Sequence, residues 1–210
     1  LLTIDSTYLD ALYLYAELYK KIDRKVSFLS YEKILKIDPN QYLALYEQGV
    51  FYFINDEIEQ AIRKFTQALS IKVDARALND RASCYRITGQ YEESIGDYKA
   101  AISADPSMFF IYNNLASVYR KKGDMDKAIL NYTLAIEKNS DFSMAYNNRG
   151  SIYLANNQME QALEDFNKAL SINSNYSLAL NNRGILFYKQ EKYQQAIADF
   201  DMAIVFADSY

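Results

Sequence analysis

The chain has 210 residues and a formal net charge of −4, and it contains no His, no Trp and one Cys beside 20 Tyr. Without His it lacks the commonest metal ligand and general base, so Ser-His-Asp and Cys-His catalysis cannot be built from it. One Cys excludes an intrachain disulfide framework and a Cys-rich zinc site. We therefore expect no catalytic residue, no metal and no cofactor. The acidic balance argues against nucleic acid as a partner, and no apolar run could span a membrane.

The first seven residues precede the repeating part of the sequence. The chain opens at Leu1 rather than Met, so we expect the true N-terminus to be missing. Nothing at this end resembles the basic-then-apolar start of a signal peptide. Localisation stays open, with the cytoplasm slightly favoured.

The remaining residues repeat with a period of about 34 residues. The segment Ala145–Gly150, with the sequence AYNNRG, recurs as ALNNRG at Ala179–Gly184. The same frame of small and aromatic residues extends back towards the start of the chain. We predict six units, at residues 8–41, 42–74, 75–108, 109–142, 143–176 and 177–210.

Each unit has the pattern of two helices joined by a short turn. In the unit 109–142, apolar or small residues recur at a spacing of three to four from Tyr112 to Tyr119 and again from Met125 to Ile136. Gly123 lies between them and supplies a left-handed helix end. No window shows the alternation of a strand, so the sequence predicts an all-α protein.

A 34-residue helix-turn-helix unit resembles the tetratricopeptide repeat. Counted from the start of each unit, position 8 is small and position 24 is aromatic, as that family requires. Position 8 holds Gly49, Ala82, Ala116, Gly150 and Gly184, and position 24 holds Phe65, Tyr98, Tyr132, Phe166 and Phe200. The resemblance implies a right-handed superhelical solenoid, a single domain over residues 8–210, whose first helices line a concave groove. Cys84 falls at position 10, which is apolar in the other units, so we expect it in the core.

Positions 7 and 23 vary together along the chain. Wherever Arg stands at position 7, Asp stands at position 23 of the same unit. The pattern predicts three ion pairs within repeats: Arg81–Asp97, Arg149–Asp165 and Arg183–Asp199. Shared descent by recent duplication of these units is the alternative explanation.

The groove positions are rich in Asn, which offers both a donor and an acceptor to an extended peptide. The row at position 6 resembles the asparagine ladder in the superhelix of O-linked N-acetylglucosamine transferase. The alternative is that these amides solvate the groove or bond neighbouring helices. Basic residues would favour a peptide with carboxylates, and apolar ones would contact its apolar side chains. The predicted peptide-binding residues are Asn79, Asn113, Asn114, Asn147, Asn148, Asn181, Asn182, Arg86, Arg120, Tyr46 and Phe53.

These patterns predict a protein–protein interaction scaffold. A second possibility is the recognition domain of a larger enzyme, such as a glycosyltransferase, whose catalytic part lies outside this chain. A third is a homodimer through the C-terminal end, where Ile204, Val205 and Phe206 should be partly exposed because no polar capping helix follows. The apolar groove of the unit 42–74 could be covered by a partner, by a second copy, or by Leu1, Leu2 and Ile4.

Overall fold

The computed structural model describes residues 6–207, and side chains from residue 8 onward. This part of the chain folds into twelve α-helices and has no strand, which confirms the all-α prediction. The helices are α1 Ser6–Tyr19, α2 Arg24–Ile37, α3 Tyr42–Ile54, α4 Ile58–Ile71, α5 Ala75–Ile87, α6 Tyr91–Ala104, α7 Phe109–Lys122, α8 Met125–Lys138, α9 Ser143–Ala155, α10 Met159–Ile172, α11 Ser177–Lys189 and α12 Tyr193–Ala207.

The helices form six consecutive pairs, which we call repeats 1 to 6. Odd-numbered helices from α3 to α11 begin at the first residues of the predicted units. The first helix differs, because α1 begins at Ser6 and so overlaps the segment predicted as 1–7. The chain divides into two compact units, which end and begin at Pro106 and Ser107 and are treated separately below. The predicted covering role of Leu1, Leu2 and Ile4 lies outside the described residues.

One left-handed residue at position 15 turns the chain between the two helices of repeats 2 to 6. Gly89 and Gly123 have φ angles of 78° and 84°, where glycine carries no steric penalty. Asp56, Asn157 and Glu191 adopt φ angles of 60–62° at the equivalent positions. The turn is therefore conserved in geometry within the chain although its residue changes.

Small residues at position 8 let the two helices of a repeat approach across an aromatic ring. A Cβ atom built on Gly49 would lie 2.5 Å from Cε1 of Phe65, and one on Gly150 would lie 2.9 Å from Cε1 of Phe166. Both rings are fully buried. The predicted core role of Cys84 is confirmed, since its side chain is buried and burial raises the pKa of the thiol to about 12. No helix within residues 6–207 has the length and apolar character that crossing a bilayer requires.

Candidate functional site

All three predicted Arg–Asp pairs are present as bidentate salt bridges. In repeat 5, Nε of Arg149 donates to Oδ2 of Asp165 at 2.9 Å, and its Nη2 donates to Oδ1 at 2.7 Å. The other two pairs have the same geometry, Arg81 with Asp97 and Arg183 with Asp199, at 2.7–2.8 Å. This planar fork geometry is the strongest form of the interaction. The covariation of positions 7 and 23 therefore reports physical contact between the helices of one repeat.

Each of these arginines also reaches the preceding repeat within its compact unit. The remaining nitrogen, Nη1, donates to a side-chain oxygen at position 25 of that repeat. The acceptors are Thr66 for Arg81 at 3.0 Å, Thr133 for Arg149 at 2.9 Å and Asn167 for Arg183 at 2.8 Å. This contact between repeats was not predicted from the sequence. The signal was present at position 25, because a Thr or Asn acceptor stands there in each repeat that precedes an Arg repeat.

The Asn residues of the C-terminal unit bond one repeat to the next. Nδ2 of Asn148 donates to Oδ1 of Asn113 at 3.0 Å, and Nδ2 of Asn182 donates to Oδ1 of Asn147 at 2.9 Å. Position 6 of one repeat is thus joined to position 5 of the repeat before it. Asn113 and Asn147 are only 4% exposed. The interpretation that these amides bond neighbouring helices is therefore correct for the Nδ2 groups of Asn148 and Asn182.

The position 6 amides keep capacity for a ligand. Asn148 and Asn182 are half-buried, and the side-chain carbonyl of each accepts no hydrogen bond from any residue within the described range. Each bond to position 5 fixes the plane of the amide and therefore the direction of this carbonyl. Asn114 accepts a long contact of 3.5 Å from Nδ2 of Asn113, and Asn181 is exposed. We call Asn148 and Asn182, with the buried Asn113 and Asn147 behind them, the amide row.

The N-terminal unit uses the same positions with different chemistry. Oη of Tyr46 donates to Oδ2 of Asp80 at 2.9 Å, again linking position 5 to position 6 of the next repeat. Nδ2 of Asn79, which is buried, donates to Oδ1 of Asp80 at 2.9 Å. Burial raises the pKa of Asp80 above its ordinary value. Phe53 is half-buried and packs against the core cluster that contains Phe65.

The two predicted groove arginines stand beside buried tyrosines. The hydroxyl of Tyr98 lies 2.8 Å from Oγ of Ser83, and Oγ of Ser83 donates to the carbonyl of Asn79 at 3.0 Å. The serine proton is used by that carbonyl, so the tyrosine donates to the serine. Arg86 stands near the tyrosine hydroxyl. Burial, as the largest effect, raises the pKa of Tyr98.

Repeat 4 has the same arrangement. The hydroxyl of Tyr132 lies 3.1 Å from Oγ of Ser117, and Arg120 stands near this hydroxyl. The guanidinium of Arg120 is exposed, so it can still bind an anion. A signal for this arrangement was present in the sequence, because among repeats 2 to 6 Tyr at position 24 occurs only in the two repeats with Arg at position 12.

The last helix exposes an apolar stripe. Ile204 and Val205 are each 62% exposed, and Phe206 is half-buried, as expected from the sequence. Self-association through this face stays a prediction.

Comparison with known families identifies the repeats. Tetratricopeptide repeat families match residues 30–63, 111–141, 143–176 and 177–210, and a related TPR repeat family matches residues 83–123. The matched ranges 143–176 and 177–210 are identical to two of the units predicted from the sequence. The chain belongs to the tetratricopeptide repeat family.

Solved structures share this fold. The crystal structure of MamA is similar with a TM-score of 0.71 and 24% identity, over 76% of this chain and 94% of that one. YrrB, described as a TPR protein with an unusual peptide-binding site, is similar with a TM-score of 0.69 and 20% identity, over 82% of this chain and 90% of that one. Pseudomonas aeruginosa pilF is similar with a TM-score of 0.80 and 17% identity, over 92% of this chain and 89% of that one. At these identities the likeness shows the fold alone. No curated protein matches the chain.

Proposed function

We propose that this chain is a non-catalytic scaffold that binds an extended segment of a partner protein along the amide row. The observation that carries the proposal is the pair of oriented carbonyls of Asn148 and Asn182, each fixed from behind by a buried amide. The two residues lie at the same position of successive repeats. A peptide in extended conformation presents backbone N–H groups that such carbonyls can accept, at about 1 kcal/mol of net stabilisation for each bond.

Exposed basic side chains on the first helices of the C-terminal unit favour an acidic peptide. Arg120 and Lys121, on the first helix of repeat 4, and Lys189, on the first helix of repeat 6, are exposed. Opposite charges on a partner would increase its association rate and its specificity more than its affinity. The peptide-binding title of YrrB supports the class of function but identifies no partner for this chain. Nucleic acid is not a partner in this proposal, because the net charge of the chain is −4.

Selection of peptides by display tests the proposal. A random peptide library would be selected on the wild-type chain, and the enriched peptides measured against N148A/N182A. Loss of two backbone hydrogen bonds should weaken binding by roughly tenfold or more. The matched control is Q161A/Q194A, which removes two exposed side-chain amides from α10 and α12 of the same unit. Equal affinity of the wild type and N148A/N182A would refute binding at the amide row.

The recognition domain of a larger enzyme remains the alternative context for the same binding surface. Among residues 6–207, no cluster of three or more Cys, Asp or Glu residues could hold a metal ion. A scaffold and a recognition domain make the same prediction for N148A/N182A. They differ in whether a catalytic segment accompanies this chain in the full-length protein, which the length and composition of that protein decide.

A further inference from the structure

Repeats 1 and 2 enclose a cleft of about 360 Å³ that the amide row does not include. It lies within the N-terminal unit, between the end of α1, the first turns of α2 and the C-terminal half of α3. Phe28 and Phe51 stack in its wall with ring centroids 4.3 Å apart, and Val50 and Ile54 complete an apolar surface. Ile54 is 50% exposed, so the apolar part is open to solvent. This volume lies within the range of small-ligand sites and accommodates a large apolar side chain.

The two carboxylates of the cleft are already satisfied. Oε1 of Glu17 accepts a hydrogen bond of 2.6 Å from Oη of Tyr31. Oε1 of Glu47 accepts one from Nζ of Lys20. Burial, as the largest effect, and the contact with Glu17 raise the pKa of Tyr31, so this phenol stays a donor. These contacts fix the shape of the rim. Nζ of Lys20 also lies 3.9 Å from Oε1 of Glu17, so Lys20 is shared between the two carboxylates of the cleft.

The other two cations of the rim have no such partner. Lys21 and Arg24 are exposed and line the cleft, and neither pairs with a carboxylate among the described residues. Asp23 stands between them in sequence, but its carboxylate caps α2 by accepting from the backbone N–H groups of Lys25 and Val26. The cleft therefore combines an apolar wall with two cations, Lys21 and Arg24, that can pair with a carboxylate of a ligand, while its own two carboxylates share Lys20.

We propose that this cleft of the N-terminal unit is a second recognition site, which takes a bulky apolar side chain that stands next to an Asp or Glu in a segment of a partner protein. The inference rests on the proposed function for its class of partner, a protein segment, and it adds a side-chain specificity of the N-terminal unit itself. The phenyl or branched apolar group fills the space beside Phe28, Phe51 and Ile54. The neighbouring carboxylate pairs with Lys21 and Arg24.

A matched pair of small probes tests the chemistry of the cleft directly. 4-Phenylbutyrate and 4-phenylbutylamine share the apolar group and differ in the sign of their charge. Binding is followed by the methyl NMR signals of Val50 and Ile54. We expect the anion to bind roughly fivefold more tightly than the cation, and K21E/R24E to reverse the preference. Control variant K33E/K36E changes the same charges on exposed positions of α2 outside the cleft and should leave the preference unchanged.

Peptide selection then tests the occupant. Peptides enriched on the wild type should carry an aromatic or large aliphatic residue beside Asp or Glu, and selection on K21E/R24E should exchange the acid for Lys or Arg. Equal affinity of the two probes, or an unchanged enrichment on K21E/R24E, would overturn the cleft proposal.

The two proposals fail in distinguishable ways. An unchanged enrichment on K21E/R24E, together with weaker binding to N148A/N182A, would leave the amide row supported and the cleft refuted. A clear preference for phenylbutyrate and for acidic apolar peptides, with no effect of N148A/N182A, would support the cleft and refute the amide row. Recovery of no peptide on the wild type would refute both as peptide sites.

Discussion

Repeats 4 and 5 are neighbours in the C-terminal unit that build the same helix pair around different contacts. In repeat 4 the ring at position 24 is Tyr132, position 8 is Ala116, and Arg120 stands near the ring hydroxyl. Position 7 is Leu115, which is buried. The guanidinium of this repeat is therefore exposed and available to a ligand.

Repeat 5 places its guanidinium between helices instead. The ring is Phe166, position 8 is Gly150, and Leu154 occupies the position that Arg120 has in repeat 4. Arg149 is held by Asp165 and by Thr133 of the preceding repeat. Repeat 3 combines both uses, because Arg81 pairs with Asp97 and contacts Thr66 while Arg86 stands near Tyr98. The comparison therefore teaches that the two uses of Arg are independent, one set by positions 7 and 23 and the other by positions 12 and 24.

Removal of Asp165 should have the largest effect on stability. The carboxylate is buried, and D165A would leave the guanidinium of Arg149, which is only 17% exposed, without its anion. We expect a loss of about 3 kcal/mol in the free energy of unfolding, measured by urea denaturation.

The double variant R149L/D165N gives repeat 5 the Leu and Asn that repeat 4 has at these positions. It should recover most of that loss, because no charge stays buried. A double variant no more stable than D165A would show that the two repeats are not interchangeable.

Enlarging position 8 of repeat 5 should have the next largest effect. A Cβ on Gly150 would lie 2.9 Å from the ring of Phe166 and 3.0 Å from Cβ of Asp165. Overpacking costs about 1–3 kcal/mol, and the better helix propensity of Ala returns about 1 kcal/mol, so G150A should be net destabilising. G96A is the control, because a Cβ there meets nothing within 4 Å and should stabilise α6. Thermal unfolding of both variants checks this, and a stabilised G150A would contradict it.

Conversion of the ring of repeat 4 to that of repeat 5 should have a smaller effect. Y132F removes the hydroxyl that bonds Ser117 and lies near Arg120, at a cost of about 1 kcal/mol. Burial raises the pKa of Tyr132 above the ordinary value of 10.0, so the unfolded chain loses its proton first as the pH rises. The stability contributed by Tyr132 is therefore present below pH 10.0 and falls above it. The stability advantage of wild type over Y132F should shrink in that range, and a constant difference would contradict the assignment.

Contacts within a repeat could be predicted from this sequence, whereas contacts between repeats mostly could not. Arg at position 7 and Asp at position 23 occur together in repeats 3, 5 and 6, so the repeated sequence itself reveals the pair Arg149–Asp165. Thr133 belongs to a different repeat from Arg149, and its contact depends on how the preceding helix is placed against the next. That placement follows from packing, which position-by-position comparison of repeats does not contain.

The candidate site shows the same limit. Recurrent Asn at positions 5 and 6 indicated a polar function, but the pattern did not separate the supporting residue from the presenting one. Burial makes this distinction, since the supporting residue Asn113 is buried and the presenting residue Asn148 is half-buried. The hydrogen bond between Tyr98 and Ser83 was equally hidden, because the repeat pattern predicts only that position 24 is aromatic.

The smallest expected effect is the coupling between Asn113 and Asn148. A double-mutant cycle of N113A, N148A and both together should give a coupling energy of about 0.5–1 kcal/mol, from their 3.0 Å hydrogen bond. The control cycle, N113A with N182A, joins side chains that share no hydrogen bond, and its coupling should be near zero. Selected peptides should also bind N113A more weakly than wild type, although this residue is covered, because Asn148 loses the contact that orients its carbonyl. Zero coupling in the first cycle would remove the structural basis for a preorganised amide row.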